Sequence, residues 1–521
     1  MKKLFSRFFI IAFTIIAMFI LNVALVFGAI WVGQEILSTL FEGAAEWIRF
    51  TLSAIGWIIV IVTVLNIINR DMVPETKLPW MVVVIGLNVF GVAIYGVFSH
   101  NRPTRKQREK YRVLNEQTAP YRKRTYEKAQ TEQLLGRWAG VSEALYDGAS
   151  APLYGDTQTE YFPSGEAFFE KFKEDIRAAK KFIFMEYFIV ERGKMWNETV
   201  AILEEKVKEG VEVRVMYDDI GSVGKVGANY YKKLQKKGIR CEKFSPFVPI
   251  VTSAHNNRNH RKITVVDGVI GYTGGLNFAD EYVNEKQPFG HWKDTAVRLY
   301  GEGVRAMTLL FLTDFSTRLK EGDDFTSYVE STQAQEGAKG YVQPYGAGPK
   351  PLYPRCVGED VYLNLINEAK KSVCIMTPYL IIDYRLRESL LRAAERGVDV
   401  RIIVPHVPDK KIVFALTRSN YPVLIRGGVK IYEYTPGFLH AKCLIADGEA
   451  AACGTVNLDY RSFLHHYENG VVLYGTEAVR QMADDFENTV ACSELQTEEG
   501  ARRGVLGRVL CEIAKVFAPL F

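Results

Sequence analysis

Long apolar runs dominate the first hundred residues of this 521-residue chain. Three of them, 8–32, 50–68 and 79–98, carry no charged residue and are long enough to cross a bilayer as helices. Tryptophan and tyrosine residues lie near their ends, where aromatic side chains favour the boundary between lipid and water. A signal peptide is the alternative for the first run, but its length and the two later runs favour embedding. We therefore predict a membrane region over residues 1–100.

Basic residues flank these apolar runs on both sides. A cluster of arginines and lysines follows the third run, and Lys2, Lys3 and Arg7 precede the first. The positive-inside rule would place both groups in the cytoplasm, which three complete spans cannot achieve. The larger cluster favours a cytoplasmic location for the region that follows it. We expect residues 101–133 to act as a basic linker that also attracts anionic lipid.

Beyond residue 134 the pattern changes to short apolar strands that alternate with amphipathic helices. It predicts helix, strand, helix and strand, in that order, at 166–179, 182–190, 198–209 and 211–217. The same order recurs at 360–370, 373–382, 387–395 and 398–404. Strand–helix–strand connections favour a largely parallel sheet with helices on both faces. We therefore predict two copies of one α/β unit, over residues 134–335 and 345–500.

Two further segments fall outside this repeating pattern. The polar, Gly- and Gln-rich segment 321–350 is predicted to link the two copies or to form a surface loop. Residues 501–521 are basic and carry apolar residues at helical spacing. This amphipathic segment would either pack on the second copy or lie in the membrane interface, and the sequence favours neither.

Each copy carries the same sparse motif around a predicted hairpin. In each copy a lysine, an aspartate and an asparagine follow one histidine by two, seven and seventeen positions. Because residues two apart on a strand share a face, each histidine points the same way as its lysine. Chance does not account for two such spacings among only eight histidines. The residues are His260, Lys262, Asp267 and Asn277, then His440, Lys442, Asp447 and Asn457.

Composition excludes some functions but assigns none. A formal net charge of +5 is too small to indicate nucleic-acid binding by itself. The seven cysteines form no C-x-x-C pair, so neither a zinc site nor a disulfide framework is predicted. No acidic cluster suited to a divalent cation accompanies the two motifs. We expect neither a metal nor another cofactor.

The residue types in the two motifs suit the cleavage of a phosphodiester. One histidine can attack phosphorus while the other protonates the leaving alkoxide, provided that their surroundings set opposite protonation states. Lysine ammonium groups and asparagine amides can stabilise the charge on the non-bridging oxygens. The two lysines would then take the electrostatic role that a metal ion has in other phosphodiesterases.

With both motifs placed in a duplicated α/β unit, the chain resembles the phospholipase D superfamily. Softer motifs are EYF at 186–188, YDDIGS at 217–222, HWKDT at 291–295 and FAPL at 517–520. Together with the membrane region they resemble the bacterial cardiolipin synthases of that superfamily, from Trp47 to the end. The resemblance implies an α/β fold of two pseudo-repeated phospholipase D-type sandwich domains that share one interfacial active site, plus an N-terminal helical membrane region.

The resemblance implies phosphatidyl transfer between two phosphatidylglycerol molecules, which yields cardiolipin and glycerol. His260 would attack phosphorus to form a phosphatidyl-histidine, and His440 would protonate the departing glycerol. His440 would then deprotonate the hydroxyl of the second lipid. The expected partners are phosphatidylglycerol and other anionic lipid, with no nucleic acid, and an oligomer is compatible with the pattern. The expected location is the bacterial cell membrane, multi-pass, with a cytoplasmic catalytic domain.

Several neighbours of the motifs are candidate supporting residues. Each imidazole needs a carboxylate that fixes its orientation, and Glu468, twenty-eight residues after His440, matches the superfamily position for it. The equivalent first-half position is proline, so we expect Asp294 to substitute there. Thr455 could donate a hydrogen bond to the phosphate. Asp267 and Asp447, although part of the motif, are expected to fix the hairpin turns rather than to touch substrate.

Other functions could use the same residues. A hydrolytic phospholipase D would use water as the acceptor, and a phosphatidylserine synthase would use serine. A nuclease of this superfamily is disfavoured by the predicted spans and the modest charge. A non-catalytic membrane scaffold is the alternative from a different class, although such repeats normally lose a histidine or a lysine and here both copies are complete.

Overall fold

The computed structural model describes residues 45–99, 103–246, 256–319, 323–501 and 505–520. The chain divides into two compact units, 1–99 and 100–521. The described part of the first unit consists of two helices, α1 (Ala45–Asn69) and α2 (Pro74–Phe98), which pack against each other. Both are long and apolar enough to cross a membrane, with a mean hydropathy of 2.3. They contain the predicted spans 50–68 and 79–98, whereas the predicted span 8–32 lies outside the described residues.

The second unit combines helices with two large sheets. Its strands are given with the sheets below. Its α-helices are α3 (Arg105–Thr118), α4 (Lys128–Leu135), α5 (Ala139–Ala149), α6 (Gly165–Ala178), α7 (Lys194–Lys208), α8 (Asp219–Val226), α9 (Tyr230–Gln235), α10 (Val304–Ser316), α11 (Phe325–Val329), α12 (Val357–Glu368), α13 (Tyr384–Glu395), α14 (Lys411–Ser419), α15 (Tyr421–Arg426), α16 (Tyr460–Leu464), α17 (Glu477–Ala491), α18 (Glu498–Ala501) and α19 (Val505–Phe517).

The first half of this unit forms a seven-stranded sheet with the order β1-β8-β6-β5-β2-β3-β4. A short strand, β7 (His291–Lys293), lies outside it. The strands of the sheet are β1 (Thr157–Phe162), β2 (Phe182–Tyr187), β3 (Glu212–Asp218), β4 (Arg240–Phe244), β5 (Lys262–Val266), β6 (Ile270–Gly274) and β8 (Ala296–Gly301).

The second half forms an eight-stranded sheet, β19-β13-β12-β10-β15-β16-β18-β9. Three short strands, β11 (Leu380–Ile381), β14 (Gly437–Leu439) and β17 (Leu458–Asp459), lie outside it. The strands of the sheet are β9 (Tyr341–Ala347), β10 (Ser372–Met376), β12 (Asp399–Pro405), β13 (Lys430–Tyr434), β15 (Cys443–Ala446), β16 (Ala450–Gly454), β18 (Glu468–Tyr474) and β19 (Ser493–Leu495).

The two sheets repeat one topology, as the sequence predicts. Read from β1 and from β9, the spatial orders correspond strand for strand, and the second sheet adds β19 at its far edge. The prediction of largely parallel sheets is wrong, because within the two large sheets only β2–β3–β4 and β10–β12–β13 run parallel. After each parallel set the chain forms an antiparallel hairpin, β5–β6 or β15–β16, and a hairpin needs only a two-residue turn.

Two segments expected to be connections are part of the packed fold. Within the expected linker 101–133, α3 packs against α10, and Tyr111 Oη donates a 2.8 Å hydrogen bond to Asp314 Oδ1. Within the expected loop 321–350, β9 forms the edge of the second sheet and is almost entirely buried. Composition misled here, because β9 is enclosed by neighbours that come from distant parts of the chain.

A single apolar core joins the two halves. Buried side chains from both sheets contact one another there, among them Phe184 and Val265 from the first half and Ile445 and Val471 from the second. Helix α10 lies within this core, and all of its residues except Arg305 are buried. Shared burial of this kind fixes the two sheets rigidly, since apolar area removed from water stabilises at about 25 cal/mol per Å². The motif hairpins are thereby held in one arrangement.

The C-terminal helix packs on the second half. Ala518, just beyond α19, lies in a small apolar cluster with Leu416 and Tyr460. Val509 and Ile513 remain exposed on the opposite face of the helix. Packing on the second copy, one of the two predicted alternatives, therefore accounts for one face of α19.

The aspartate of each motif ends its strand in a tight turn. Asp267 has φ of 53° and Gly268 has φ of 73°, and Val269 N donates to Val266 O, as in a type I′ turn. The Asp267 carboxylate accepts hydrogen bonds from the backbone N–H groups of residues 180, 181 and 182. Asp447 repeats this arrangement with residues 370, 371 and 372. Both aspartates thus tie a hairpin to the start of the neighbouring strand.

Substitution of Asp267 by alanine is expected to lower the free energy of unfolding by about 2–4 kcal/mol, because three backbone donors lose their acceptor. Activity per folded molecule should persist. Thermal unfolding in detergent, followed by tryptophan fluorescence, measures the first effect and a lipid assay measures the second. Asp484→Ala, at an exposed helical position, is the control, with little change expected. Lost turnover at unchanged stability would instead give Asp267 a part in the chemistry.

Candidate active site

Each motif histidine is held by a backbone contact with the other half. His260 N donates to Tyr467 O at 2.8 Å, and Tyr467 N donates to Arg258 O at 2.9 Å. In the second motif β14 pairs in parallel with β7, and His440 N donates to Lys293 O at 2.7 Å. The two halves therefore exchange a short strand-like contact at each histidine, which places both motifs at the interface between the sheets.

The carboxylates that orient the imidazoles also cross between the halves. His260 Nδ1 lies 2.8 Å from Glu468 Oε2 of the second half, and His440 Nδ1 lies 2.6 Å from Asp294 Oδ2 of the first. This is the reverse of the pairing that sequence separation suggests, in which Glu468 would serve His440. All four side chains are buried, and both carboxylates are fully inaccessible.

The two motif lysines lie beside these pairs. Lys262 Nζ donates to the carbonyl oxygen of His260 at 2.7 Å, and Lys442 Nζ donates to that of His440. Burial lowers the pKa of Lys262 to about 7, an effect that Glu468 opposes and the Lys442 charge reinforces. Burial likewise lowers the pKa of Lys442 to about 8 against the attraction of Asp294. An anion beside the two lysines would favour their ammonium forms.

The asparagines and Thr455 occupy different local settings. Asn277 Oδ1 accepts from Ile189 N at 3.0 Å, and its Nδ2 donates to Tyr282 Oη at 2.7 Å. Asn457 Oδ1 is buried and makes no hydrogen bond within the described part of the chain. The Thr455 hydroxyl donates a hydrogen bond to the Glu468 carboxylate. Asp267 and Asp447 lie at the opposite ends of their strands from His260 and His440.

The two carboxylates differ in the hydrogen bonds that support their charge. Glu468 accepts from the hydroxyls of Thr455 and Ser462 in addition to His260. Asp294, besides its contact with His440, accepts a hydrogen bond from the Thr295 N–H alone among the described residues. The repeat explains part of this difference, because Gly275 stands where the second half has Thr455. A Cβ at that glycine would lie 2.0 Å from Asp294 Oδ1, so no donor side chain fits there.

The pKa shifts follow the same difference. Burial opposes ionisation of Glu468, but contact with His260 holds the pKa of its carboxyl well below the ordinary value. Burial raises the pKa of Asp294 to about 7, although the charges of Lys442 and Lys262 lower it. Burial also lowers the pKa of His260 to about 3 against the pull of Glu468. The surroundings of Glu468 therefore favour its carboxylate form, whereas those of Asp294 favour its protonated form more than usual.

Residues 172–289 and 362–490 match a family described as cardiolipin synthase, PLD-like domain. A cardiolipin synthase of Halalkalibacterium halodurans is 34% identical over 509 residues, which cover 96% of this chain and 99% of that protein. This chain belongs to the cardiolipin synthase family. An uncharacterized protein of Streptococcus mutans is 40% identical over 462 residues, which cover 88% of this chain and 99% of that protein.

The fold of this cardiolipin synthase family member also occurs in a solved structure. The phosphatidylserine synthase of Haemophilus influenzae matches with a TM-score of 0.54 and 16% identity, covering 74% of this chain and 97% of that one. At this identity the likeness establishes a shared fold. The crossed histidine–carboxylate pairs described above are thus built on a phospholipase D-type α/β scaffold with two repeated sheets.

One group of potential metal ligands occurs within the described residues. Candidate ligand atoms of His260, His466 and Glu468 lie within 4.8 Å of one another. Two histidines and a carboxylate are a donor set that suits zinc. Here, however, Glu468 already accepts hydrogen bonds from His260 and two hydroxyls, and the neighbouring Lys262 charge opposes a second cation. Catalysis without a metal therefore stays a prediction of the sequence.

Some residues of this site carry no sequence signal of their own. Asn469 Oδ1 accepts from Lys262 N at 3.1 Å, and its Nδ2 donates to Thr273 Oγ1 at 2.8 Å. Arg261 Nη1 donates to Asp314 Oδ2 at 2.9 Å, and its Nε donates to the backbone oxygen of Glu468. Both residues tie the two halves together beneath the histidines. The only sequence feature that could have pointed to Arg261 and Asn469 is that each directly neighbours a predicted site residue.

Proposed function

We propose that this chain transfers the phosphatidyl group of one phosphatidylglycerol to a hydroxyl of a second, forming cardiolipin and releasing glycerol. The observation that carries the proposal is the pair of crossed histidine–carboxylate contacts, His260 with Glu468 and His440 with Asp294, found in a member of the cardiolipin synthase family. A double displacement needs one imidazole that lacks a proton on its free nitrogen and one that has it.

His260 is proposed as the nucleophile. Ionised Glu468 accepts the Nδ1–H of neutral His260, which leaves the lone pair of Nε2 available for attack on phosphorus. In the first step the Nε2–P bond forms and the bond from phosphorus to the glycerol oxygen breaks. The product is a phosphatidyl-histidine whose positive charge Glu468 stabilises across the 2.8 Å contact.

His440 is proposed as the acid of this first step. Protonated Asp294 donates its O–H to His440 Nδ1, so the proton of the imidazole itself resides on Nε2. That proton passes to the departing glycerol oxygen, and His440 then takes the Asp294 proton on Nδ1. In the second step Nε2 removes the proton of the acceptor hydroxyl as its oxygen attacks phosphorus, which frees His260.

Charge on the reacting phosphate is proposed to be stabilised by Lys262 and Lys442. The two buried ammonium groups approach it from opposite halves, and a low-dielectric setting strengthens their attraction to an anion. Asn277 already hydrogen-bonds to Ile189 N and Tyr282 Oη. Asn457 has no such side-chain hydrogen bond within the described residues, so we propose that its amide is the one that contacts the phosphate. Thr455 is proposed to act through Glu468 rather than on the phosphate.

The proposed setting is a bacterial cell membrane. Helices α1 and α2 would span it, and the sequence predicts a further span ahead of them. We infer a cytoplasmic catalytic unit, since the larger basic cluster follows α2. The substrates are then anionic lipids drawn from the membrane in which the chain resides. Oligomers of the chain are compatible with this arrangement.

A pH dependence follows from the raised pKa of Asp294. Above pH about 7 this carboxyl is ionised, His440 donates from Nδ1, and Nε2 carries no proton for the leaving group. Single-turnover release of glycerol should therefore fall roughly tenfold per pH unit above about 7. The asparagine of the Asp294→Asn variant cannot ionise. This variant should release glycerol more slowly than the wild type at every pH, but without the decrease above pH about 7. Glycerol release that is independent of pH from about 6 to 9 would contradict the assignment.

The product assay tests the proposed function directly. Pure protein is incubated with phosphatidylglycerol alone, in mixed micelles that contain a chelator. Cardiolipin and glycerol in equal amounts are expected. Phosphatidic acid without cardiolipin would indicate a hydrolase, serine-dependent phosphatidylserine would indicate the related synthase, and no turnover would favour a scaffold. Activity that is lost in chelator and restored by a metal would overturn the expectation of metal-free catalysis.

A further inference from the structure

Equivalent positions beside the two motif histidines carry opposite chemistry. Phe438 lies two residues before His440, and Trp292 lies two residues before Asp294. Their rings are 4.7 Å apart and form an apolar wall beside His440. The corresponding residues beside His260 are Arg258 and His466. The repeat thus has an aromatic pair on one side and a basic pair on the other.

The backbone contacts establish this correspondence. Asn259 forms a parallel bridge with Tyr467, just as Leu439 pairs in parallel with Lys293. Successive side chains of a strand point to opposite faces, so the residues before and after a bridged residue lie on the same face. Arg258 and His466 therefore lie on the face that carries His260 and Glu468. The His466 ring is 5.3 Å from that of His260, and the Trp292 ring is 5.3 Å from that of His440.

Both residues of the basic pair are buried and have polar atoms without a hydrogen bond. Arg258 is 4% exposed, and its Nε and Nη1 make no hydrogen bond within the described residues. His466 is 8% exposed, and its Nδ1 lies 3.5 Å from Glu468 Oε1. Over the same ranges neither of its ring nitrogens makes a hydrogen bond, and Nε2 is left without any polar contact. Buried polar groups in native proteins are nearly always satisfied, so atoms like these call for a bound group.

The surrounding contacts favour an anion as that group. Arg258 Nη2 donates to Ser245 O at 2.9 Å, and Nε lies 3.2 Å from Asp218 Oδ2. The Asp218 carboxylate also accepts the N–H groups of Gly221 and Asn259, so its charge is shared and Arg258 Nη1 remains available. Arg461 is exposed, and its guanidinium interacts electrostatically with both the Asp459 carboxylate and Arg258, so it adds a positive charge that Asp459 partly offsets.

We propose that Arg258 and His466, with Arg461 beside them, form a second anion site, which takes the phosphodiester of the second phosphatidylglycerol. This inference rests on the proposed function. Each phosphatidylglycerol has one phosphodiester, and that of the donor lies between Lys262 and Lys442. The acceptor brings its own negative charge, which the aromatic pair beside His440 cannot neutralise. One glycerol joins the two phosphates of cardiolipin, so their sites must be neighbours.

The partition of the phosphatidyl-enzyme between two acceptors tests this site. Exchange of labelled glycerol into phosphatidylglycerol uses the same donor and the same histidines, but its acceptor carries no charge. Cardiolipin formation requires the anionic acceptor. In Arg461→Gln and His466→Asn, the ratio of cardiolipin to exchanged glycerol should fall about tenfold, because a charge-assisted hydrogen bond to one acceptor is lost. In both variants, a higher mole fraction of phosphatidylglycerol should be needed before cardiolipin reaches half of its maximal ratio to exchanged glycerol.

The outcomes separate this inference from the proposed function. His406→Asn, at an exposed histidine paired with Glu433, is the matched control and should keep the wild-type ratio. If the wild-type protein makes cardiolipin and both variants keep its ratio, the second anion site is wrong, even if both reactions slow together. If the wild-type protein exchanges glycerol but makes no cardiolipin, the proposed function fails instead.

Discussion

The His260→Ala variant is expected to make no detectable cardiolipin and to retain no lipid phosphate on the protein. Without the imidazole, no Nε2 can form the bond to phosphorus, and removal of a nucleophile lowers turnover by roughly 10⁴-fold or more. The measurement is a denaturing quench at alkaline pH, where phosphorus–nitrogen bonds to histidine survive, after incubation with phosphatidylglycerol labelled in its phosphate. Wild-type protein should carry the label in the same assay.

His440→Ala is the paired variant that assigns the roles. With phosphatidylglycerol it should also lose turnover, because the leaving glycerol is no longer protonated, at a cost of roughly 10²–10⁴-fold. A phosphatidyl ester of p-nitrophenol needs no such proton, so it should restore labelling in this variant and leave His260→Ala unlabelled. The opposite pattern, with label on His440 and none on His260, would reverse the assignment.

Glu468→Gln is expected to lower turnover by roughly 10³–10⁴-fold without unfolding the protein. The loss of an ionised partner leaves an imidazole free to hold its proton on the wrong nitrogen, as the same change does in serine proteases. An amide also replaces one of the two oxygens that now accept from Thr455, Ser462 and His260. The rate of protein labelling by the p-nitrophenyl ester measures the nucleophilic step alone.

The Asp294→Asn variant is the one to compare with Glu468→Gln in the labelling experiment. Its defect should lie in protonation of the leaving group, so the p-nitrophenyl ester should largely restore its labelling, whereas Glu468→Gln should stay slow with either substrate. Equal recovery of both variants would show that the two carboxylates are interchangeable. The difference in hydrogen-bond support between Glu468 and Asp294 would then have no catalytic meaning.

Local patterns in the sequence were sufficient for the individual elements and for the repeat. The predicted helix 166–179 and strand 211–217 agree with α6 and β3 within a residue at each end, because their apolar spacing reflects burial on one face or on both. Strand direction was predicted wrongly, since a crossover and a hairpin leave similar apolar runs. Segment 321–350 was misjudged because the burial of β9 depends on partners far away in the sequence.

The candidate site was predictable in its residue types and less so in its connections. Spacing alone identified His260, Lys262, His440 and Lys442, because the same pattern of residue types occurs in both copies. The partner of each imidazole could not be read in the same way, since it depends on how the two sheets pack. The basic pair beside His260 became visible through its buried polar atoms that make no hydrogen bond within the described residues, which a sequence does not display.

The exchange of carboxylates between the halves has an evolutionary consequence. Duplication usually provides a spare copy that is free to drift while the original keeps working. Here each motif histidine contacts a carboxylate that the other copy encodes. If both pairs act in the proposed reaction, loss of either carboxylate would impair the histidine of the other copy, and selection would act on the two copies together.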